Sequence, residues 1–143
     1  MSKKYQVVGI GNAVVDVIAR AEDTFLDLMG IQKGIMQLVE RDRGETLYAA
    51  MTDRVQTPGG SVANTIAHVG DMGLKGTFLG KVAGDELGRV FRGDMARLGI
   101  EVPVPDQADG TATGHCVVMV TPDGQRTMST FLGACECLAP EDL

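Results

Sequence analysis

The stretch Thr57-Pro58-Gly59-Gly60-Ser61-Val62-Ala63-Asn64-Thr65 sets two glycines immediately before an apolar helical pattern, with an asparagine one turn into it. Glycine lets another backbone approach closely, and the first N–H groups of a helix have no intrahelical acceptor. A small oxygen-rich ligand can therefore lie against bare backbone at such a junction, where the helix dipole favours it. The same residues also make a plain tight turn feeding a helix, and the glycines alone do not separate the two. Further on, Gly80-Lys81-Val82-Ala83-Gly84-Asp85-Glu86-Leu87-Gly88 leads into a second helical pattern.

Working outward, Val62, Ile66 and Val69 recur at helical spacing until Gly73. Residues 77–82 suit a strand. Leu87, Val90, Phe91, Met95 and Leu98 mark a second helix closed by Gly99, and residues 100–104 read as another strand. Strand and helix alternating in this way indicate right-handed βαβ units and a parallel sheet. Towards the N-terminus, residues 5–11 form a short apolar run closing on glycine, as a buried strand does. Residues 12–20 are again β-branched and strand-like. Asp23 opens a short helix through Leu28 that ends at Gly30, and residues 34–39 suit a strand. Asp42 with Glu45 three residues on is a candidate capping box for a helix carrying Leu47, Tyr48 and Met51, and residues 54–57 are extended.

After residue 110 the pattern changes. Residues 114–121 and 125–132 are strand-like and flank Pro122-Asp123-Gly124, a turn, so a β-hairpin is expected. With residues 14–20 and 34–39 it makes a small second sheet beside the α/β body. Ala139-Pro140-Glu141-Asp142-Leu143 carries the signals of a helix start, Pro in the first turn and acids at the positive dipole end. One turn does not repay helix nucleation, so the chain is expected to be cut inside a larger fold.

Composition narrows the function classes. At 143 residues with 44% apolar and 22% charged residues the chain is one ordinary globular domain's worth. A formal charge of −6, no Trp and 4% aromatics argue against a nucleic-acid partner, by charge and by the lack of a base-stacking platform. No stretch suits a membrane span or a signal peptide, and the three cysteines form no disulfide framework, so a cytoplasmic setting is expected. Cys135-Glu136-Cys137 has no second Cys/His pair at ligand spacing, the histidines being His68 and His115, and no metal site is expected.

Gly9-Ile10-Gly11 after a strand invites a dinucleotide-binding reading, but Val14 stands in place of the third glycine and no helix pattern begins there. Gly80-Lys81-Val82 lacks the Ser or Thr of a phosphate-binding P-loop. Asn12 and Asp16 are more promising. Asn12 lies at the carboxyl end of a strand, where open α/β sheets bind ligands. Asp16 sits among Val14, Val15, Val17 and Ile18, and a carboxylate in apolar company needs partners, which a pair of vicinal hydroxyls can supply. Asp16 capping a turn, or facing water on an edge strand, remains open on these residues alone.

Asn12 and Asp16, Gly59-Gly60 with Asn64, Gly84-Asp85-x-x-Gly88, and the hairpin from Thr113-Gly114 to Arg126-Thr127 follow one another in an order that resembles the ribokinase-like (PfkB) family of carbohydrate and nucleoside kinases, nearest the adenosine kinase branch. The resemblance runs through nearly the whole chain but only the N-terminal half of a typical member. It implies a Rossmann-like α/β body with a small β-sheet lid built from residues 14–20, 34–39 and 114–132. It implies transfer of the γ-phosphoryl group of ATP, with Mg²⁺, to a hydroxymethyl group of a sugar or nucleoside. Asp16 would receive the ribose hydroxyls, with Asn12, Gly59, Gly60, Ser61 and Asn64 around the sugar. Met36, Leu38, Cys116, Met128 and Leu132 would touch the base, although each also suits lid or core packing. Arg126 would lie near the ligand mouth or in solvent. A homodimer through the lid is compatible with it. Val62 stands where the family has a small residue, and Ala13 replaces a Pro common among adenosine kinases, which loosens the substrate more than the family. The family's Gly-Ala-Gly-Asp motif, with its base and anion hole, is absent, since Gly70-Asp71, Gly84-Asp85 and Gly93-Asp94 have no Gly-Ala before them. The chain by itself is therefore expected to be inactive. Two rivals stay open: a non-catalytic sugar- or nucleoside-binding regulatory module, and a dinucleotide-binding fragment resting on Gly9 and Gly11.

Overall fold

The computed structural model describes residues 3–143. In chain order the elements are β1 (Val7–Ile10), β2 (Val14–Arg20), α1 (Asp23–Leu28), β3 (Met36–Leu38), α2 (Arg41–Ala50), β4 (Val55–Gly59), α3 (Ser61–Asp71), β5 (Gly76–Leu79), α4 (Glu86–Arg97), β6 (Gly114–Val120) and β7 (Arg126–Phe131), then short 3-10 turns at Gly133–Cys137 and Pro140–Asp142. Contacts divide them into two units. The first holds the described residues up to Val15, Thr57–Gly114 and Leu132–Leu143; the second holds Asp16–Gln56 and His115–Phe131.

In the first unit β1 and β5 pair in parallel, Val7 opposite Gly76 through Ile10 opposite Leu79. Helix α3 buries Ala63, Ile66 and Val69 along one stripe, and Gly73 closes it as expected. Its Ile66 and Val62 side chains lie where a Cβ on Gly9 would be, so the missing side chain lets helix and strand close up. Phe78 of β5 meets Phe91 of α4, with ring centroids 5.6 Å apart, and both rings are fully buried. The strand expected at 100–104 is reduced to a single parallel bridge from Glu101 to Thr77. Pro103 and Pro105 have no N–H to carry the ladder further. The burial of Ile100 and Val104 explains the strand-like pattern without a strand.

The second unit is built on a five-stranded sheet in the order β3-β7-β6-β2-β4. Strands β6 and β7 form the expected antiparallel hairpin, His115 opposite Phe131 through Val120 opposite Arg126. Asp123 holds its turn by accepting from Thr121 Oγ1 at 2.7 Å and Gln125 N at 3.1 Å. Strand β3 joins β7 in parallel. Beyond the three segments expected, the sheet includes β4, an edge strand that tolerates Pro58 because an edge can spare an N–H. Ala19, Val117 and Met119 point to one face, where Leu26, Ile31, Leu47 and Met51 close a core. The capping box on Asp42 and Glu45 does not form. Helix α2 begins two residues earlier, at Arg41 after Glu40, with no side-chain cap. Glu45 instead accepts from Arg41 Nε one turn back at 2.7 Å, and Asp42 lies inside the first turn, where its charge suits the dipole.

Candidate functional site

The candidate residues form two sets, one on each unit. On the first unit, β4 ends at Gly59 and α3 begins at Ser61, leaving Gly60 as the hinge with φ 101° and ψ 136°. An L side chain rarely adopts that backbone, and a Cβ there would stand 2.5 Å from the Asn12 carbonyl oxygen. Only glycine lets the β4–α3 junction lie against the segment after β1. Helix α3 has no side-chain cap, and its first turn closes through Asn64 N donating to Gly60 O at 2.9 Å. Asn12, Ser61 and Asn64 are exposed around this junction, and Gly59 is buried. Val62 packs over Gly11, 3.1 Å from where its Cβ would be. Gly9 and Gly11 therefore serve close helix–strand packing, and they admit the large Val62.

On the second unit, pairing register gathers the rest. Met36 faces Met128, Leu38 faces Thr130, Cys116 also faces Thr130, and Val118 faces Met128. Paired residues share a face. Since Val117, Met119 and Ala19 occupy the core face, Cys116, Met128, Met36 and Leu38 occupy the other, and alternation puts Asp16 and Ile18 of β2 there too. Met36 and Leu38 are more than half exposed, while Cys116 is buried. Asp16 is half-buried and has no hydrogen-bond or ion-pair partner among the described residues; burial raises its carboxyl above the usual carboxylate range. Cys116 Sγ accepts from Thr130 Oγ1 at 3.2 Å. Burial raises the Cys116 thiol, the Thr130 bond opposes this, and the Asp16 charge adds to it. Leu132 directly follows β7 and belongs to the first unit. Ile18, Val118 and Thr130 share the face but escape a reading of single residues, because only the hairpin register puts them there.

Gly84-Asp85-x-x-Gly88 turns out to be a cap. Asp85 precedes α4 and accepts from Gly88 N at 2.8 Å, Thr113 N at 2.9 Å and Thr113 Oγ1 at 2.6 Å. Burial acts against its charge, but these bonds outweigh it and lower its pKa. The fully buried Thr113 also accepts from Ala83 N at 2.9 Å. Lys81, 9% exposed, donates to both Asp142 carboxylate oxygens at 2.8 Å, and Asp142 accepts from Ala139 N at 2.9 Å. The helix-start signal at the C-terminus is thus realised as a short 3-10 turn held by a buried ion pair. One concavity on the first unit, of about 410 Å³, runs between α3 and α4 and includes Thr57, Pro58 and Asn64. No three His, Cys, Asp or Glu side chains converge as metal ligands among the described residues. No helix there is long and apolar enough to cross a membrane.

Solved structures similar to this chain include adenosine kinases and a probable sugar kinase. The chain superimposes on an adenosine kinase from Sinorhizobium meliloti with a TM-score of 0.86 and 45% sequence identity, covering 99% of this chain and 43% of that one. A probable sugar kinase from Rhizobium etli gives a TM-score of 0.87 at 38% identity, with 99% and 43% covered. Adenosine kinase 1 of Arabidopsis thaliana is 28% identical over 96% of this chain and 41% of its own length. Residues 6–143 match the pfkB family of carbohydrate kinases, and the chain belongs to that family. It spans less than half the length of these relatives.

Proposed function

We propose that this chain carries the acceptor-binding part of a kinase that transfers the γ-phosphoryl group of ATP to the hydroxymethyl group of a nucleoside, adenosine foremost, or of a simple sugar. The observation that carries the reading is the Asp16 carboxylate, half-buried without a partner on the sheet face that holds Cys116, Met128, Met36 and Leu38. Two vicinal hydroxyls donating to Asp16 would offset its desolvation, and the apolar and sulfur-bearing side chains suit a flat heterocycle. The Gly59-Gly60-Ser61 turn, Asn12 and Asn64 are proposed to hold the sugar, and Leu132 to contact the base. The β3-β7-β6-β2-β4 sheet is proposed as the lid, and its exposed edges leave room for a homodimer through it. A cytoplasmic location fits these acceptors.

Phosphoryl transfer of this kind is chiefly positioning and electrostatic stabilisation. ATP would supply the phosphoryl group, and Mg²⁺ would screen the phosphate charge. The described residues do not fit them: no carboxylate cluster converges on a metal position, and no general base in a Gly-Ala-Gly-Asp motif is present. No step is drawn through either group, and the residues here bind and orient the acceptor only.

Thermal-shift titration tests the reading. Adenosine should raise the melting temperature, with ribose weaker and NAD without effect. Asp16→Asn should remove the response to adenosine. A rise with NAD, or an unchanged adenosine response in Asp16→Asn, would count against the assignment.

A further inference from the structure

The layer between α2 and the β6–β7 hairpin holds polar atoms that no protein group satisfies. His115 is 4% exposed and Ser129 0%, yet His115 Nδ1, His115 Nε2 and Ser129 Oγ have no hydrogen-bond partner among the described residues. Strand register brings these two side chains together. Ser129 pairs with the core residue Val117, and His115 lies two positions before Val117, so both face the core side of the sheet. They are diagonal neighbours there, roughly 7 Å apart, which is too far for a direct bond from a short serine and suits one bridging water. Helix α2 crosses the pair at Gly44, where an added Cβ would stand 3.2 Å from His115 Nε2 and 3.0 Å from Phe131 Cβ. The Tyr48 and Phe131 rings flank the imidazole at centroid distances of 5.7 and 5.5 Å. The Tyr48 hydroxyl accepts from Gln56 Nε2 at 2.7 Å and makes no bond to His115. A neutral imidazole carries one donor and one acceptor nitrogen, and a hydroxyl is both, so a water between them finds partners whichever tautomer is present. Buried polar groups are rarely left bare, and an internal water with two to four polar partners is the usual remedy.

We propose that His115 and Ser129 share one internal water molecule, and that this bridge makes them positioning residues for the acceptor face on the other side of the sheet. Successive strand residues point to opposite faces. His115 therefore adjoins Cys116, and Ser129 lies between Met128 and Thr130, all on the face that holds Asp16. The bridge ties β6 to β7 directly behind the bond from Thr130 Oγ1 to Cys116 Sγ, and so fixes where Cys116, Met128 and Thr130 stand. A carbon ring at position 115 would fill the same space between Tyr48 and Phe131 but would take away one anchor of the water and leave Ser129 short of a partner. The water site stands on the orphaned atoms alone. The positioning role rests in addition on the proposed binding of a nucleoside acceptor.

A double-mutant cycle tests the bridge, with His115→Phe, Ser129→Ala and the two combined followed by melting temperature. Each single change should lower it by roughly 3–8 °C, because the remaining partner is orphaned. The double variant should lose clearly less than the sum, because no polar atom is then left bare. In the parent, nuclear Overhauser effects from a long-lived water should reach protons of both His115 and Ser129. Additive losses, or a parent without that water signal, would overturn the bridge; where a variant does not fold, the water signal in the parent decides. For the positioning role, adenosine is titrated calorimetrically into each protein well below every melting point. His115→Phe and Ser129→Ala should each weaken binding roughly tenfold. His115→Gln, which keeps a donor and an acceptor, should bind within about twofold of the parent. Lower melting temperatures with unchanged adenosine affinity would overturn the positioning role. A parent that does not bind adenosine at all would sink the acceptor reading and the positioning role together, and the water bridge would still stand or fall by the cycle and the water signal.

Discussion

Two glycine-to-alanine substitutions in the first unit should act in opposite directions. At Gly60, φ is 101° and an added Cβ would stand 2.5 Å from the Asn12 carbonyl oxygen, a backbone atom that cannot swing aside. Forcing an L residue into that region costs roughly 1–3 kcal/mol, and overpacking against fixed atoms about as much again. Gly60→Ala should therefore destabilise by about 2–6 kcal/mol, a large share of the roughly 5–15 kcal/mol that holds a domain folded. At about 2–4 °C per kcal/mol for a chain of this size, the melting temperature should fall by roughly 10 °C. Gly93 lies inside α4 with nothing within 4 Å of its would-be Cβ. There the same change should stabilise by about 0.5–1 kcal/mol, because alanine removes the entropy cost of helical glycine. Urea unfolding followed by far-UV circular dichroism, with the slope checked for constancy, measures both. A Gly60→Ala variant within about 1 kcal/mol of the parent would refute the argument, since strain and overpacking together should cost at least about 2 kcal/mol.

Thr113→Val should cost about 2–4 kcal/mol, because it orphans the buried Ala83 N–H and removes one bond to the Asp85 carboxylate; urea melts check it, and a neutral result would mean that the cap is dispensable. Asp16 and Asp85 should leave opposite marks on pH-dependent stability. The pKa of Asp16 is raised by burial, so its contribution is favourable below the unfolded-state value and is lost as pH rises through the folded one. Asp16→Asn should accordingly stabilise the ligand-free chain at neutral pH, with the gain vanishing in acid; a loss of stability at pH 7 would contradict this. The pKa of Asp85 is lowered, burial being outweighed by its Thr113 and Gly88 bonds, so its contribution is present above the unfolded-state value and fades as pH falls through the folded one. Asp85→Asn should therefore destabilise at neutral pH and progressively less in acid, as parallel melts across pH would show. Incubated with ATP, Mg²⁺ and adenosine, the purified chain should form no AMP; sustained turnover by a sequence-verified sample would refute its proposed role as an acceptor-binding part only.

Much of this architecture is legible in one dimension because its signals are local. The α3 stripe of Ala63, Ile66 and Val69, the Gly73 and Gly99 stops, and the Thr121–Gln125 turn each involve residues within a few positions of one another. The errors lie where local signals compete. Asp42 and Glu45 have the spacing of a capping box, but Arg41 offers Glu45 a charge-assisted partner one turn back. Residues 100–104 have strand-like hydrophobicity, but Pro103, with Pro105 just beyond, breaks the ladder after Glu101.

The sequence by itself determined the kinds of element, the glycine hinge at residue 60 and the family, since these rest on side-chain periodicity, backbone permissiveness and motif order. It also marked Asp16 as a carboxylate in need of partners, because apolar neighbours are visible in the string. The tertiary structure decided which residues share a face. Met36, Cys116 and Met128 come together with Asp16 through strand pairings far apart in the chain, and a slip of one residue in that register would have turned them to the core. It also decided that Gly9 and Gly11 let Val62 and Ile66 of α3 pack close, and that the Val8 and Ile10 side chains are exposed. Those outcomes depend on long-range register and packing, which no single stretch of sequence encodes.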